Sequence, residues 1–205
     1  MRHNPALPRL YQVPDIGLAS PCSRHFTYQQ LICCGETWQR TQLANLPEQP
    51  ASWQALAVLA NTILDPVVDQ FGPIELTFGF CSAALARLIR QNPQPRIAPA
   101  LDQHASHELN PKGQPICSRL GAAVDFYSHQ ASSAELARFI VEALPFDRLY
   151  YYGAERPVHV SVGPECFGQP ERLGQIVWMR EHMGRRIPRR LTPATFIQQL
   201  EGLAC

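Results

Sequence analysis

Two histidines and one aspartate lie in sequence surroundings that suit metal ligands. His104 lies in a polar segment, Asp125 directly follows the small-residue run at 121–124, and His159 lies in the middle of the apolar run Val158–Val162. A catalytic zinc ion is typically held by three protein ligands, with one coordination position left for water. The sequence therefore predicts that His104, Asp125 and His159 bind one Zn²⁺ ion.

The two histidines also have ordinary interpretations. The residues around His104 are typical of a surface loop. His107 competes with His104 as a metal ligand, because a spacing of three positions places both on one turn if the segment is helical. His159 alone is typical of a hydrogen-bonded core histidine. The choice between His104 and His107 stays open at this point.

Asp125 has a stronger case for a metal than for an unpaired core position. A buried carboxylate is costly unless it is paired or bound to a metal. The alternative is an ion pair with Arg119 or Arg148, both of which lie in neighbouring segments. We expect the metal to be the partner.

Three further side chains are candidates for catalytic roles. Glu155 precedes His159 by four residues and is a candidate general base for a zinc-activated water, or a solvated turn residue. Glu108 is the second candidate base, or an acid that orients a ligand histidine. Arg119 is a candidate carboxylate clamp or oxyanion donor, or a partner of Asp125.

The elements that must position these residues alternate between helices and strands. Apolar periodicity and capping signals predict an α+β fold, with a small, mostly antiparallel sheet that carries the zinc site and helices packed on one side of it. The main predicted helices lie at 51–70, with Ser52 as N-cap, at 83–91, from Ser132 to 144, at 171–183, and from Thr192 to about 203. The predicted strands lie at 74–80, 122–127, 149–152 and 158–162.

Length and composition indicate one domain. The chain has 205 residues, 45% of them hydrophobic and 17% charged, with a net charge of +1. We expect an irregular arm at 1–24, a core at 26–162 and a helical extension at 163–205. Seven cysteines without a CxxC pair, and an N-terminal segment without an apolar core of signal-peptide type, favour a cytoplasmic protein. No run of residues reaches the length of a membrane span.

One local concentration of positive charge lies near the C-terminus. Its members are Arg180, Arg185, Arg186, Arg189 and Arg190. Such a cluster binds nucleic acid or a protein partner in some proteins, and in most it is a solvated element end. We keep an adaptor that binds nucleic acid or protein through this segment as one alternative function.

Three pieces of the chain resemble a known enzyme family. The zinc D-Ala-D-Ala carboxypeptidase-like peptidases, which share their fold with the zinc domain of hedgehog proteins, carry Ser-x-His, then Gly-x-Ala-x-Asp, then a strand with Val-His-Val-Ser. The corresponding pieces here are DQH at 102–104, GAAVDF at 121–126 and PVHVSV at 157–162. With upstream similarities at 26–41, 64–66 and 71–80 and a further one at 145–149, the chain resembles the phage-type branch over about residues 26–162.

The resemblance implies a function and favours one ligand over its competitor. It implies that His104, rather than His107, binds zinc together with Asp125 and His159. It also implies a zinc-dependent hydrolase that cleaves a peptide or amide bond in a peptidoglycan-type substrate.

The chain departs from the family pattern at chemically important positions. An insertion at 105–120 separates the first two ligands. Cys81 stands where members carry a substrate-binding arginine, and Tyr152 stands where they carry a glutamate base. These departures favour, as a second alternative, a zinc-binding module without peptidase activity.

Overall fold

Six strands form one continuous sheet in the computed structural model, which describes residues 17–93, 97–163, 174–183 and 185–202. The strands are β1 (Ile74–Phe78), β2 (Ala122–Ser128), β3 (Arg148–Tyr151), β4 (Val158–Val162), β5 (Gln175–His182) and β6 (Arg185–Leu191). Their order in the sheet is β1-β2-β4-β3-β5-β6, and all neighbouring pairs are antiparallel except β3 and β5. The predicted mixed fold with a mostly antiparallel sheet is confirmed.

Seven α-helices accompany the sheet in the part of the chain that the structure describes. They are α1 (Tyr28–Ile32), α2 (Glu36–Thr41), α3 (Pro50–Leu59), α4 (Asp65–Phe71), α5 (Ala83–Arg90), α6 (Ser133–Ala143) and α7 (Pro193–Glu201). The Ser82, Ser132 and Thr192 side chains each accept a hydrogen bond from a backbone N–H in the first turn that follows.

The helix predicted at 51–70 has a different N-cap from the one we expected, and a π-helical turn interrupts it. Gln49 is the residue before its first turn, and Ser52 lies inside the helix, so the prediction of Ser52 as N-cap was wrong. A π-helical turn, Ala60–Leu64, joins α3 to α4. Pro66 has no N–H to donate to the preceding turn, which accounts for the break in the regular ladder next to it.

The main hydrophobic core lies against one face of the sheet. Alternate residues of the central strands point into it, among them Val124, Val158, Val160, Leu149 and Tyr151, and all are at most 1% exposed. Helices α3 and α6 pack on this face through β2 and β4. The intervening residues of the same strands point to the opposite face, which carries the candidate site.

A second, smaller apolar cluster lies on the side of the candidate site. It joins Phe78 at the end of β1 to Cys81 and to Leu85 in α5, and Trp38 of α2 packs against it. The expectation that the helices pack on one side of the sheet is therefore wrong for α2 and α5. Phe78 leaves the main core because a bulge shifts the register of β1 against β2 after Leu76.

The C-terminal part is a β-hairpin followed by one helix. The predicted helix at 171–183, and with it the helical extension at 163–205, is corrected: residues 175–182 form β5 and pair with β6. Ile176, Val177 and Trp178 are all buried, as is typical of a strand that is covered on both faces. Met183 has φ 50°, a left-handed conformation typical of a tight hairpin turn.

Parts of three predicted segments lie outside the described residues. The predicted arm at 1–24 is described only from residue 17, where turns lead into α1. Residues 94–96 of the predicted core, and 164–173, 184 and 203–205 of the C-terminal part, are also outside them. Within the described residues, no helix combines the length and the apolar character needed to cross a membrane.

Candidate metal centre

Asp125 and His159 face each other across two adjacent strands. Asp125 in β2 pairs with His159 in β4, and His159 pairs on its other side with Tyr150 in β3. Directly opposed residues of neighbouring strands point to the same face. The register therefore places a carboxylate, an imidazole and a phenol in one row on the face away from the main core.

The loop before β2 brings His104 to this row. The preceding residue, Gln103, has φ 68°, and its amide donates hydrogen bonds to the carbonyls of Leu120 at 2.8 Å and Val162 at 3.3 Å. Its side-chain oxygen accepts a hydrogen bond from Ser161 Oγ at 2.7 Å. The loop is thus fastened to β4 next to His159, which fixes the position of His104.

A backbone carbonyl fixes the orientation of the His104 ring. His104 Nδ1 donates to Gly79 O at 2.8 Å, so Nε2 is the nitrogen turned toward Asp125. The chain passes close by at this point, because a Cβ on Gly79 would clash with the carbonyl oxygen of Leu31. Only glycine fits there. A carbonyl that holds the far nitrogen of an imidazole is the usual outer support of a metal-ligating histidine.

Three ligand atoms converge at the site. His104, Asp125 and His159, which we call the triad, offer atoms that all lie within 4.8 Å of one another. His104 Nε2 lies 3.5 Å from Asp125 Oδ1, and His159 Nδ1 lies 2.6 Å from the same oxygen. Two ligands of a tetrahedral zinc ion lie roughly 3.4 Å apart, given bond lengths of about 2.1 Å. The first pair already has this spacing, and the second reaches it with a shift below about 1 Å.

Two nitrogens of the triad are buried without a hydrogen bond. Within the described residues, Nε2 of His104 and Nε2 of His159 have no hydrogen-bond partner. Nε2 of His104 lies 3.5 Å from Asp125 Oδ1, whereas His159 bonds the same oxygen through Nδ1. Buried polar atoms are nearly always paired, and an exception needs an explanation such as a missing ion. A divalent metal explains an unpaired imidazole nitrogen beside a carboxylate, so the residues present fit the group.

Charge and burial have opposite effects on the pKa values of His104 and Asp125. Burial lowers the pKa of His104, but the negative charges of Asp102 and Asp125 outweigh this effect and raise it from 6.5 to about 9. Burial raises the pKa of Asp125, but the charges of His104 and His159 hold it well below its usual range. The site therefore keeps a carboxylate ionised and stabilises positive charge beside it.

Aromatic rings enclose the triad while leaving one entry. The rings of Phe78 and His104 lie 4.7 Å apart in an edge-to-face arrangement, and those of Tyr150 and His159 lie 4.9 Å apart. The two histidine side chains are at most 2% exposed, whereas that of Asp125 is 21% exposed. Solvent or a ligand therefore reaches the triad on the Asp125 side.

Glu108, one candidate base, is engaged elsewhere. Its carboxylate accepts hydrogen bonds from the backbone N–H groups of Glu48 and Gln49 at 3.2 Å and from Ser52 Oγ at 2.8 Å. It thus satisfies the N–H groups of the two residues that directly precede α3, and its charge favours that helix end. We call this group of four residues the helix-start cluster.

Glu155 and Arg119, the other two catalytic candidates, are not joined to the triad by any contact in the described residues. Glu155 is exposed in the β3–β4 loop. Arg119 is half-buried, its NH1 is buried without a hydrogen-bond partner in the described residues, and it forms no ion pair with Asp125 there. The structure assigns neither of them a partner in the site.

His107, the competitor of His104, does not join the triad. Its Nε2 accepts a hydrogen bond from the Gly121 N–H at 3.2 Å, and burial lowers its pKa. Gly121 has φ 82°, and a Cβ there would clash with the carbonyl oxygen of Val162. His107 therefore supports the glycine that begins β2, and His104 is the histidine of the site.

Asp102 lies near the triad, and its sequence context alone did not indicate a role. Its Oδ2 accepts a hydrogen bond from Ala98 N at 2.9 Å, while Oδ1 is buried and unpaired within the described residues. Its charge acts on His104 and also on Cys81, whose thiol pKa is raised first by burial and then by this charge. The signal available in the sequence was an acid two residues before a ligand histidine.

Two further residues near the triad, Cys81 and Tyr152, have buried polar groups whose pKa values are raised. Cys81 is fully buried, and the five described cysteines, Cys22, Cys33, Cys34, Cys81 and Cys117, are free thiols. Burial raises the pKa of Tyr152, and the charges of Asp125 and Asp102 raise it further. Tyr152 is therefore a neutral phenol at the rim of the site.

Comparisons of this chain with protein-family models, with curated proteins and with solved structures gave no match. The functional assignment therefore depends on the geometry of a buried His-Asp-His group that is able to hold a metal ion.

Proposed function

We propose that this protein is a metal-dependent hydrolase that cleaves a peptide or amide bond, with His104, Asp125 and His159 as the ligands of Zn²⁺. One observation carries the proposal: two buried imidazoles converge on one ionised carboxylate, and Nε2 of His104 faces that carboxylate without a hydrogen bond. When bound, Zn²⁺ supplies Lewis acidity that activates water and polarises a carbonyl.

The residues of the chain prepare the site for such an ion. Gly79 O holds the far nitrogen of His104, and the strand pairing fixes Asp125 and His159 relative to each other. Phe78 and Tyr150 keep water away from the two imidazoles, while Asp125 remains accessible from solvent. A dry site of this kind strengthens interactions between charges.

The substrate class comes from the sequence resemblance alone. It favours a peptidoglycan-type peptide that ends in D-Ala-D-Ala, and a cytoplasmic protein would meet this substrate as fragments. The unpaired Oδ1 of Asp102 supports a role for this acid, beside Glu155, in hydrogen bonding to the reacting groups.

A metal assay followed by a turnover assay tests the proposal. We expect the purified protein to bind about one Zn²⁺ per chain, and to release D-Ala from a D-Ala-D-Ala peptide until a chelator removes the metal. Asp125→Asn, which keeps the side-chain shape, should abolish both properties. Glu142→Gln removes an exposed carboxylate of α6, and as the control it should alter neither. Wild-type protein without stoichiometric metal, or with turnover that survives full metal removal, contradicts the proposal.

A metal-binding module without hydrolysis is the second candidate. Cys81 and Tyr152 replace the expected arginine and glutamate, Glu108 is committed to α3, and Glu155 is exposed. Stoichiometric metal without turnover of any peptide tested favours this candidate over the hydrolase.

A further inference from the structure

The five arginines of the β5–β6 hairpin divide between the two faces of the sheet. Arg190 pairs with Val177, Val177 with Tyr150, and Tyr150 with His159. Directly paired residues share a face, so Arg190 and, four residues earlier, Arg186 lie on the side of the triad.

The other three arginines lie on the opposite face. Arg189 pairs with Trp178, a core residue, and Arg180 stacks over the Trp178 ring at 5.1 Å. Arg185 is one residue before Arg186 and therefore points the opposite way. The charge cluster seen in the sequence is thus two separate surfaces.

Arg186 is connected to the triad through one aromatic ring. Its guanidinium carbon lies 5.4 Å from the centre of the Tyr152 ring, a cation–π contact. Tyr152 in turn lies near enough to Asp125 and to Arg186 for both charges to act on its pKa, the first raising it and the second lowering it. Tyr152 thus separates the positive hairpin from the triad.

The two arginines on this face have no acidic partner among the residues that the structure describes. Within the described residues, neither Arg186 nor Arg190 forms an ion pair, although Glu181 lies directly across from Arg186. Both side chains are exposed. A guanidinium presents a planar set of donors that matches the oxygens of a carboxylate or a phosphate.

We propose that Arg186 and Arg190 bind an anionic group, a carboxylate or a phosphate, of the same molecule whose reacting part lies at the triad. The second half of this inference rests on the proposed function. Three strand spacings of about 4.8 Å separate the backbones of His159 and Arg190. The molecule is therefore extended, with its anionic group at one end and its reacting bond at the other.

Titration with small anions tests the arginine half directly. Zn²⁺-loaded and chelator-treated protein is titrated with inorganic phosphate and, separately, with acetate at constant ionic strength, while the tyrosine ring signals are followed by NMR. The Tyr152 signals are identified with Tyr152→Phe. We expect saturable shifts in both protein forms, and the tighter of the two anions identifies the preferred group.

A matched pair of variants separates a binding site from a general charge effect. Arg186→Gln should weaken anion binding about tenfold, the effect of losing one charge-assisted hydrogen bond. Arg185→Gln removes the same charge from the adjacent residue on the opposite face and should leave binding unchanged. Arg190→Gln should weaken binding as well. Thermal unfolding of each variant checks that the hairpin is intact.

Three results overturn the proposal. They are the lack of saturable binding, equal weakening by Arg185→Gln and Arg186→Gln, and tight binding of a single-stranded oligonucleotide that both variants weaken equally. The last result assigns the whole hairpin to a polyanion instead.

The two proposals fail in distinguishable ways. Arg186-dependent anion binding in a protein that takes up no metal leaves the anion site standing and removes the hydrolase. Metal-dependent turnover with the same KM in wild type and Arg186→Gln removes the anion site and leaves the hydrolase.

Discussion

The triad and the helix-start cluster both hold an acid next to the same loop, and they differ in how fully their polar atoms are paired. Glu108 accepts bonds from two backbone N–H groups and one hydroxyl, all within 3.2 Å. The triad has two buried imidazole nitrogens without a hydrogen bond in the described residues. The two acids are only 17 residues apart in sequence, at 108 and 125.

The difference assigns a stabilising role to the helix-start cluster and a ligand-binding role to the triad. A carboxylate whose bonds are complete stabilises the elements that it joins, and its removal leaves buried donors unsatisfied. A group with unmet hydrogen-bonding capacity has that capacity available for an ion. The comparison therefore predicts that mutations in the two regions damage different properties.

The largest expected effect is the loss of metal affinity on removing a ligand. Asp125→Asn and His159→Gln should each weaken Zn²⁺ binding by about 100-fold or more, which exceeds the effect of mutating an outer supporting residue. Competition with a chromophoric chelator measures this affinity. His107→Gln is the control and should keep stoichiometric metal, since His107 lies outside the triad. Equal losses of Zn²⁺ affinity in His107→Gln and His159→Gln would contradict the assignment of His159, and not His107, as a ligand.

The next effect is a loss of stability at the helix-start cluster. Glu108→Ala should lower the free energy of unfolding by about 2–4 kcal/mol, because it leaves the Ser52 hydroxyl and the N–H groups of Glu48 and Gln49, directly before α3, without their acceptor. Chemical denaturation measures the change, and metal stoichiometry should stay the same. Glu155→Ala, at an exposed turn, should change stability by less than about 0.5 kcal/mol. Loss of bound metal in Glu108→Ala, at temperatures where this variant is folded, would contradict the prediction that the two regions serve different properties.

A third prediction concerns the pH dependence of the metal-free protein. The pKa of His104 is raised from 6.5 to about 9 in the folded state, so its contribution to stability is complete below pH 6.5 and is lost as the pH rises to about 9. The size of this loss is on the order of 3 kcal/mol.

Thermal unfolding between about pH 6 and about pH 10 measures this contribution. The metal-free wild type should lose stability across that interval, and His104→Gln should show a flatter profile. Zn²⁺-loaded protein should also be flatter, because a metal-bound imidazole no longer takes up the proton. Parallel profiles for wild type and His104→Gln would mean that another group governs the dependence.

The smallest effect is expected at the link between the loop and β4. Ser161→Ala removes the hydrogen bond to Gln103 Oε1 and should cost about 1 kcal/mol of stability. It should weaken metal binding by less than about tenfold, because His104 keeps its bond to Gly79. Ser118→Ala, on an exposed loop position, is the matched control. A loss as large as that of His159→Gln would place Ser161 among the ligands.

The sequence predicted the central elements because their signals are local. Alternation in β4 and the capping box at Ser132 and Glu135 depend on residues close in the chain, and the structure confirms both elements. The His104, Asp125 and His159 group was predicted from three short segments and is brought together as expected, although the identity of a metal is not shown.

What the sequence did not reveal depends on contacts between distant segments. The role of Glu108 depends on backbone groups about 60 residues away in the sequence, and no local sequence pattern indicates such a partner. The strand β5 was predicted as a helix because Leu173, Ile176 and Val177 fit helical spacing, whereas its parallel pairing with β3 decides the structure. Tertiary pairing overrides a weak local preference in such cases.

The in-register pairing of Asp125 with His159 has a consequence for folding. A slip of β4 by a single position would turn His159 into the apolar interior and present a valine to the carboxylate. An ion that binds Asp125 and His159 together stabilises only the correctly aligned sheet. This stabilisation increases with the concentration of free ion. A bound cation would thus favour the native alignment of β2 and β4 over slipped alternatives.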